Sequence, residues 1–396
     1  MGSIGDVTAM LPREWVAKVS LLQRFLHLLG DGGGNLVERE APRELEPRLP
    51  PSTLYPTYMN RRTFLSLSAA AGLIRTSFAA PAPANKRERM LGWLAGQSTP
   101  NYTPAAFFLH FGNDYKAGSA AATRHLEFFR HTDMDFLKIQ FEQTYSRQEF
   151  LQKPADWSKL KLARLDFYEP LLETVRELVK AEKKNSLILM TLYSPFMCAG
   201  QCATAPVLLQ HLEENPEAVK KGLEILTESQ LLFVRACIKE GVDGFYTSTQ
   251  GSEARRFSNP AIFSKYVKPF DLVSMKEIAT ACRFNILHVC DYVAPYANYD
   301  VVCDYPGHVV NCNVKLSDRQ ISGQEITKLF RRPFMGGLDR HGIISTGTPA
   351  QVEAEIRQVV KNSPRPFILG ADCTVGADTN WDRLKHAISV AHQVGA

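Results

Sequence analysis

Asn285-Ile286-Leu287-His288-Val289-Cys290 is a short apolar run that ends in two side chains able to bind a metal ion. Its aliphatic composition suits a buried β-strand, and residues two apart on a strand share a face. His288 and Cys290 therefore point the same way. A second apolar run, Pro366–Ala371, is followed directly by Asp372-Cys373. With both runs in one sheet, Cys373 joins the pair as a third soft ligand. Three protein ligands with one open position mark a catalytic zinc site, whereas structural zinc sites close with four. Zinc-assisted chemistry is therefore the leading expectation. The competing reading is a buried imidazole with two inert core thiols, and the convergence of three such residues on strand ends weighs against it.

Strand-like runs of the same kind recur along the chain. They are Ala105–Phe111, Phe136–Glu142, Ser186–Tyr193, Gly244–Ser248, Asn285–Cys290, His308–Asn313, Pro333–Leu338 and Pro366–Ala371. Helical patterns lie among them at Ser119–Thr132, Pro170–Lys183, Pro216–Lys239, Pro260–Arg283, Ile326–Arg331, Pro349–Lys361 and Trp381–Val394. Strands alternating with helices call for a parallel sheet. Such alternation over about 300 residues predicts a single α/β domain, a (β/α)8 TIM barrel spanning residues 85–396. An open doubly wound sheet is the alternative, but the first run lacks the Gly-x-Gly-x-x-Gly turn of a dinucleotide site.

Barrel active sites lie at the C-terminal ends of the strands. Those ends supply His110, Asp114, Ser248 and Asp339 as candidate catalytic residues, and Glu142, Tyr193, Ser194 and Gln250 as candidate substrate contacts. Asp114 reads either as an acceptor for pyrrole or amide N–H groups or as a loop-capping carboxylate. Glu142 and Gln140 shape the pocket, or Arg147 neutralises Glu142. Tyr193-Ser194-Pro195-Phe196 is expected to form an ordered loop with an aromatic wall. Asp339 is placed to hold the second ring nitrogen of His288, as metal-bound histidines usually require.

The chain has 396 residues, 45% hydrophobic and 22% charged, which is ordinary for a globular protein. Its formal charge of +5 is spread thinly and no basic run suggests a nucleic-acid surface. Residues 1–58 include Gly30-Asp31-Gly32-Gly33-Gly34 and a charged, Pro-rich stretch from Glu38 to Pro56, a composition expected to stay disordered. Met59-Asn60-Arg61-Arg62-Thr63-Phe64-Leu65-Ser66, the apolar run Leu65–Ile74 and the small residues at 80–84 read as a twin-arginine export signal over 59–84. That apolar run is too short to span a bilayer, and no stable membrane span is expected elsewhere. On this reading translation starts at Met59, residues 1–58 are an over-called extension, and the mature chain begins near Asn85 in a periplasmic or extracellular setting. Among the eight cysteines, Cys198 and Cys202 are the best candidates for redox activity or pairing.

Several segments resemble a known superfamily. Val242-Asp243-Gly244-Phe245-Tyr246-Thr247-Ser248-Thr249-Gln250-Gly251, Leu287-His288-Val289-Cys290, Phe334-Met335-Gly336-Gly337-Leu338-Asp339 and Phe367–Cys373 are similar to the uroporphyrinogen decarboxylase superfamily, as is Asn380-Trp381 at the head of the last helix. The resemblance runs from about Ala105 to the C-terminus and implies a (β/α)8 barrel. The superfamily holds two chemistries. Its decarboxylases carry Met-Arg-Gln-Ala-Gly-Arg-Tyr after the first strand, whereas this chain has Phe108-Leu109-His110-Phe111-Gly112-Asn113-Asp114-Tyr115, without arginine. Its other branch comprises zinc-dependent, corrinoid-linked methyltransferases. For that branch the resemblance implies zinc held by His288, Cys290 and Cys373, a small-molecule thiol substrate, and a bound corrinoid or a corrinoid protein as methyl donor. The chain departs from that pattern with Asp291 after Cys290 and with Ala371-Asp372-Cys373-Thr374 in place of a Gly-Cys-Gly turn. The alternatives are a decarboxylase (a lyase) that relies on Asp114 in tetrapyrrole metabolism, and an exported tetrapyrrole or small-molecule binding protein without turnover.

Overall fold

The computed structural model describes residues 85–97 and 102–394. The expected extension and the twin-arginine segment lie outside the described residues. One sheet holds seven parallel strands in sequence order: β1 Phe136–Ile139, β2 Leu187–Tyr193, β3 Gly244–Thr249, β4 Ile286–Val289, β5 Val309–Asn311, β6 Phe334–Leu338 and β7 Phe367–Ala371. Nearly every strand residue is buried, as expected when helices cover one face and the other lines a closed interior.

Ala105 closes the sheet. It bridges Leu369 in parallel, Ala106 N–H donates to the Leu369 carbonyl at 3.1 Å, and Asp135 N–H donates to the Ala105 carbonyl at 3.1 Å. The segment Ala105–Leu109 thus stands between β7 and β1 where an eighth strand belongs. It is not a regular strand over Ala105–Phe111, as the sequence suggests, because its later carbonyls find other donors. Val375 N–H reaches the Phe108 carbonyl at 2.8 Å, and the Gln140 side chain reaches that of Leu109 at 2.6 Å. β1 likewise stops short of Glu142, since Gln140 N–H turns to Nε2 of His125 at 2.9 Å.

The helices are α1 Lys86–Leu94, α2 Gly118–Thr132, α3 Leu165–Glu182, α4 Pro195–Cys202, α5 Ala205–Glu214, α6 Pro216–Glu240, α7 Lys268–Ala281, α8 Gly323–Phe330, α9 Ile343–Thr346, α10 Pro349–Asn362 and α11 Trp381–Gln393. Two differ instructively from expectation. Pro170 lies inside α3 rather than at its head, because Leu165–Glu169 are helix-compatible and bury Tyr168 in the core. Between β2 and β3 stand three helices, each opened by a polar cap with proline in the first turn: Ser194-Pro195, Thr204 before Ala205-Pro206, and Asn215-Pro216. Ser194 is therefore a cap that accepts from Met197 N–H at 3.3 Å, and Tyr193–Phe196 turn directly into a helix.

α1 meets the sheet at the end opposite the expected site. The Arg87 guanidinium forks onto both Asp243 oxygens at 2.8 and 2.7 Å, and Asp243 also accepts from Ile188 N–H at 3.0 Å. This pair anchors α1 to the entries of β2 and β3. Arg87→Met is expected to cost about 2 kcal/mol, below the usual figure for a broken buried pair because Arg87 keeps some solvent contact. The urea midpoint of the variant checks this, and an unchanged midpoint would show that Asp243 is satisfied without its partner.

Candidate metal centre

His288 is the third residue of β4, level with Ser248 on β3 and Asn311 on β5. Cys290 follows the end of β4, and Cys373 comes two residues after β7. The curl of the sheet brings these ends together. The donor atoms of His288, Cys290 and Cys373 all lie within 4.8 Å of one another, and all three residues are buried. Cys373 Sγ is 3.4 Å from Nε2 of His288. Neighbouring ligands on a tetrahedral zinc ion, with bonds of about 2.0 Å to nitrogen and 2.3 Å to sulfur, stand about 3.5 Å apart. The donor set therefore fits zinc in both identity and spacing.

The surroundings hold this set in place. The Tyr246 ring stacks on the His288 imidazole at 5.0 Å, and its hydroxyl donates to Oδ1 of Asn311 at 2.5 Å. Gln250 Nε2 donates to Cys290 Sγ at 3.3 Å. The two thiols titrate as a pair. A hydrogen bond from Cys290 holds Cys373 well below the ordinary thiol range, and His288 and Arg340 act in the same direction against burial. The same bond, together with burial, pushes Cys290 well above that range. One site thus already favours a thiolate, the form that binds metal. His288 Nδ1 is buried without a partner among the described residues. Asp339, expected to hold it, instead engages Lys315 at 2.5 Å and His341 N–H at 2.9 Å.

A cavity of about 460 Å³ opens over the triad. Its lining includes His110, Glu142, Tyr193, Ser248 and Gln250 from the sequence reading, joined by Phe141, Phe196 and Arg256. His110 Nδ1 and Glu142 Oε1 are 2.7 Å apart, which fixes the imidazole at the cavity wall and gives Glu142 a partner other than Arg147. Ser248 Oγ is buried and has no partner among the described residues, so it is available to a ligand. Asp114, Ser194 and Asp339 do not line the cavity; Asp114 stands exposed in the turn Asn113–Tyr115. Cys198 and Cys202 are both buried and free on α4, and burial pushes Cys202 up to about 12. That environment suits core packing rather than redox exchange.

Lys138 is the functional candidate that sequence reasoning missed. It lies on β1, is 5% exposed, and lines the cavity wall. Its ammonium donates to Gln140 Oε1 at 2.6 Å and sits 4.5 Å from the centres of both the Phe108 and Tyr246 rings. The signal was present: a lysine inside the apolar run Phe136-Leu137-Lys138-Ile139 has no solvent face to occupy. Burial pulls its ammonium down from 10.5 to about 7, against the opposing pull of Cys373, Glu142 and Cys290. The unfolded chain therefore binds this proton more tightly than the folded one. Stability from this residue is complete above pH 10.5 and is lost as pH falls through about 7. Lys138→Met should accordingly be more stable than the parent at pH 6, on the order of 5 kcal/mol, with the gap closing toward pH 10. Denaturant midpoints across this range test the sign, and a constant gap would place the lysine's titration elsewhere.

The family model for uroporphyrinogen decarboxylase (URO-D) matches residues 134–394. No curated protein sequence matches the chain. Among solved structures, a methyltransferase from Methanosarcina mazei superposes with a TM-score of 0.60 at 12% identity, covering 78% of this chain and 98% of that one. A B12-independent methionine synthase from Shewanella sp. W3-18-1, in complex with selenomethionine, gives a TM-score of 0.44 at 13% identity, covering 75% and 98%. At 12% identity the methyltransferase speaks to the fold alone. The family match begins just before β1 and ends with α11, taking in His288, Cys290 and Cys373 together with most of the cavity wall, and the chain therefore belongs to the uroporphyrinogen decarboxylase family.

Proposed function

We propose that this protein binds zinc through His288, Cys290 and Cys373 and transfers a methyl group from a corrinoid to a small thiol. The observation that carries this reading is the donor set itself: one imidazole nitrogen and two sulfurs, buried and mutually close, at the floor of a cavity. Zinc held by these three residues would lower the pKa of a substrate thiol and so supply a thiolate nucleophile at neutral pH.

The chain's own residues supply the rest. Tyr193, Phe141 and Phe196 give the cavity an apolar wall that keeps water from the thiolate. Gln250 holds the Cys290 sulfur by its amide N–H, and Ser248 Oγ offers a hydrogen bond to the substrate. His110, oriented through Nδ1 by Glu142, takes the thiol proton at Nε2. The decarboxylase alternative depends on Asp114, which stands exposed away from this cavity. Export through Arg61-Arg62 belongs to the same proposal and places the reaction outside the cytoplasm.

The purified, reduced protein should hold about one zinc per chain, and Cys290→Ser/Cys373→Ser should hold none. Methylcobalamin with small thiols should be demethylated by the parent, followed by its absorbance change, and the double variant should lose at least about 100-fold in rate. A folded, reduced parent that takes up no zinc would end this reading.

A further inference from the structure

We propose that Arg340 is a positioning residue for the metal centre, a clamp that sets the separation of the two sulfur ligands from behind. The clamp rests on the zinc-site reading above for its purpose, but its geometry stands by itself. Asp291 directly follows Cys290, and Asp372 directly precedes Cys373. Arg340 Nη1 lies 2.7 Å from Asp291 Oδ1 and 2.7 Å from Asp372 Oδ2. Arg340 N–H also donates to Asp372 Oδ1 at 2.7 Å. A second brace crosses the same gap, since Asn313 Nδ2 donates to Asp291 Oδ2 at 2.7 Å and to Asp372 Oδ2 at 2.8 Å. Asp372 N–H is itself tied to the Leu338 carbonyl at 2.9 Å.

Two carboxylates drawn together with little solvent contact repel strongly unless a cation lies between them. Here one guanidinium does so, and the side chains of Arg340, Asp291 and Asp372 are 11%, 7% and 6% exposed. Each carboxylate is one residue from a sulfur ligand, so the backbone that carries each thiol is held at its neighbour. Asp291, in the loop after β4, and Asp372, in the loop after β7, are 81 residues apart in sequence. Removing Arg340 takes away the bridge between the two loops, and the separation of the sulfurs is then no longer fixed from behind. The device differs from the residues that touch the ligands: Arg340 makes no hydrogen bond to either sulfur and holds both cysteines through the carboxylates beside them.

The test uses the full chain and two variants, Arg340→Met and Asn313→Ala. Zinc affinity is read by competition with a chromophoric chelator, and the cobalt(II) form is read by its thiolate charge-transfer band. Arg340→Met should bind zinc about 10- to 100-fold more weakly, with a shifted or weakened band, and Arg340→Lys should recover only part of the loss. Asn313→Ala keeps the compensating charge, and should lose affinity in the same direction by a smaller factor. It carries the test if Arg340→Met does not fold. In metal-free protein treated with diamide, the Cys290–Cys373 disulfide, followed by peptide mass spectrometry, should form more slowly in the variants than in the parent. That second readout does not need zinc, so it separates failure of the clamp from failure of the metal site. Unchanged zinc affinity in the folded variants, or an unchanged rate of disulfide formation, would overturn the clamp.

Discussion

Asn311 is the constraint on which the site depends. Its side chain lies in the barrel interior, 1% exposed, and all three of its hydrogen bonds run to different strands. Oδ1 accepts from Tyr246 on β3, while Nδ2 donates to the Met335 carbonyl on β6 at 3.0 Å and to the Ala371 carbonyl on β7 at 2.9 Å. A buried amide is costly unless satisfied, and one whose partners lie on three strands is satisfied only when the sheet has its full curl. The strand order alone would allow a more open sheet. The amide penalises one. The same curl brings the end of β7 toward the end of β4, and Tyr246, held by Asn311, is the ring that stacks on His288.

Above this floor the charges are arranged in two tiers. In the cavity, Lys138 lies between two aromatic faces and His110 pairs with Glu142, so the wall offers polar groups without a lone buried carboxylate. Behind the sulfurs, Asp291 and Asp372 share Arg340 and Asn313. The tiers meet at Cys373, whose thiol is held below its ordinary range first by the hydrogen bond from Cys290 and then by His288 from the cavity side and Arg340 from behind.

Much of the fold was legible because buried parallel strands leave a plain trace: short aliphatic runs with polar residues at their C-terminal ends. The convergence of His288, Cys290 and Cys373 was legible for the same reason, since parity placed His288 and Cys290 on one face and Cys373 at a matching strand end. The failures are equally physical. The first strand was over-extended because its carbonyls bond to the Gln140 side chain and to Val375 N–H, partners that no local pattern reveals. Asp339 and Arg340 are adjacent at the end of β6, and sequence reasoning favoured the carboxylate as the partner of His288. Only the placement of Asp291 and Asp372 shows that the arginine is the member turned toward the loops that carry Cys290 and Cys373.

Asp291 and Asp372 also give a physical account of where this chain departs from the pattern it resembles. A glycine beside a ligand supplies backbone freedom or room, and it contributes nothing to holding the ligand. An aspartate in its place adds an anchor but brings a charge that must be compensated. One such substitution alone would bury an unpaired carboxylate next to a thiolate. Two of them share one guanidinium and one amide, so each carboxylate has both a cation and an amide donor beside it. The two departures are best understood as a single feature with Arg340 and Asn313, exchanging loop freedom for a fixed separation between the sulfurs.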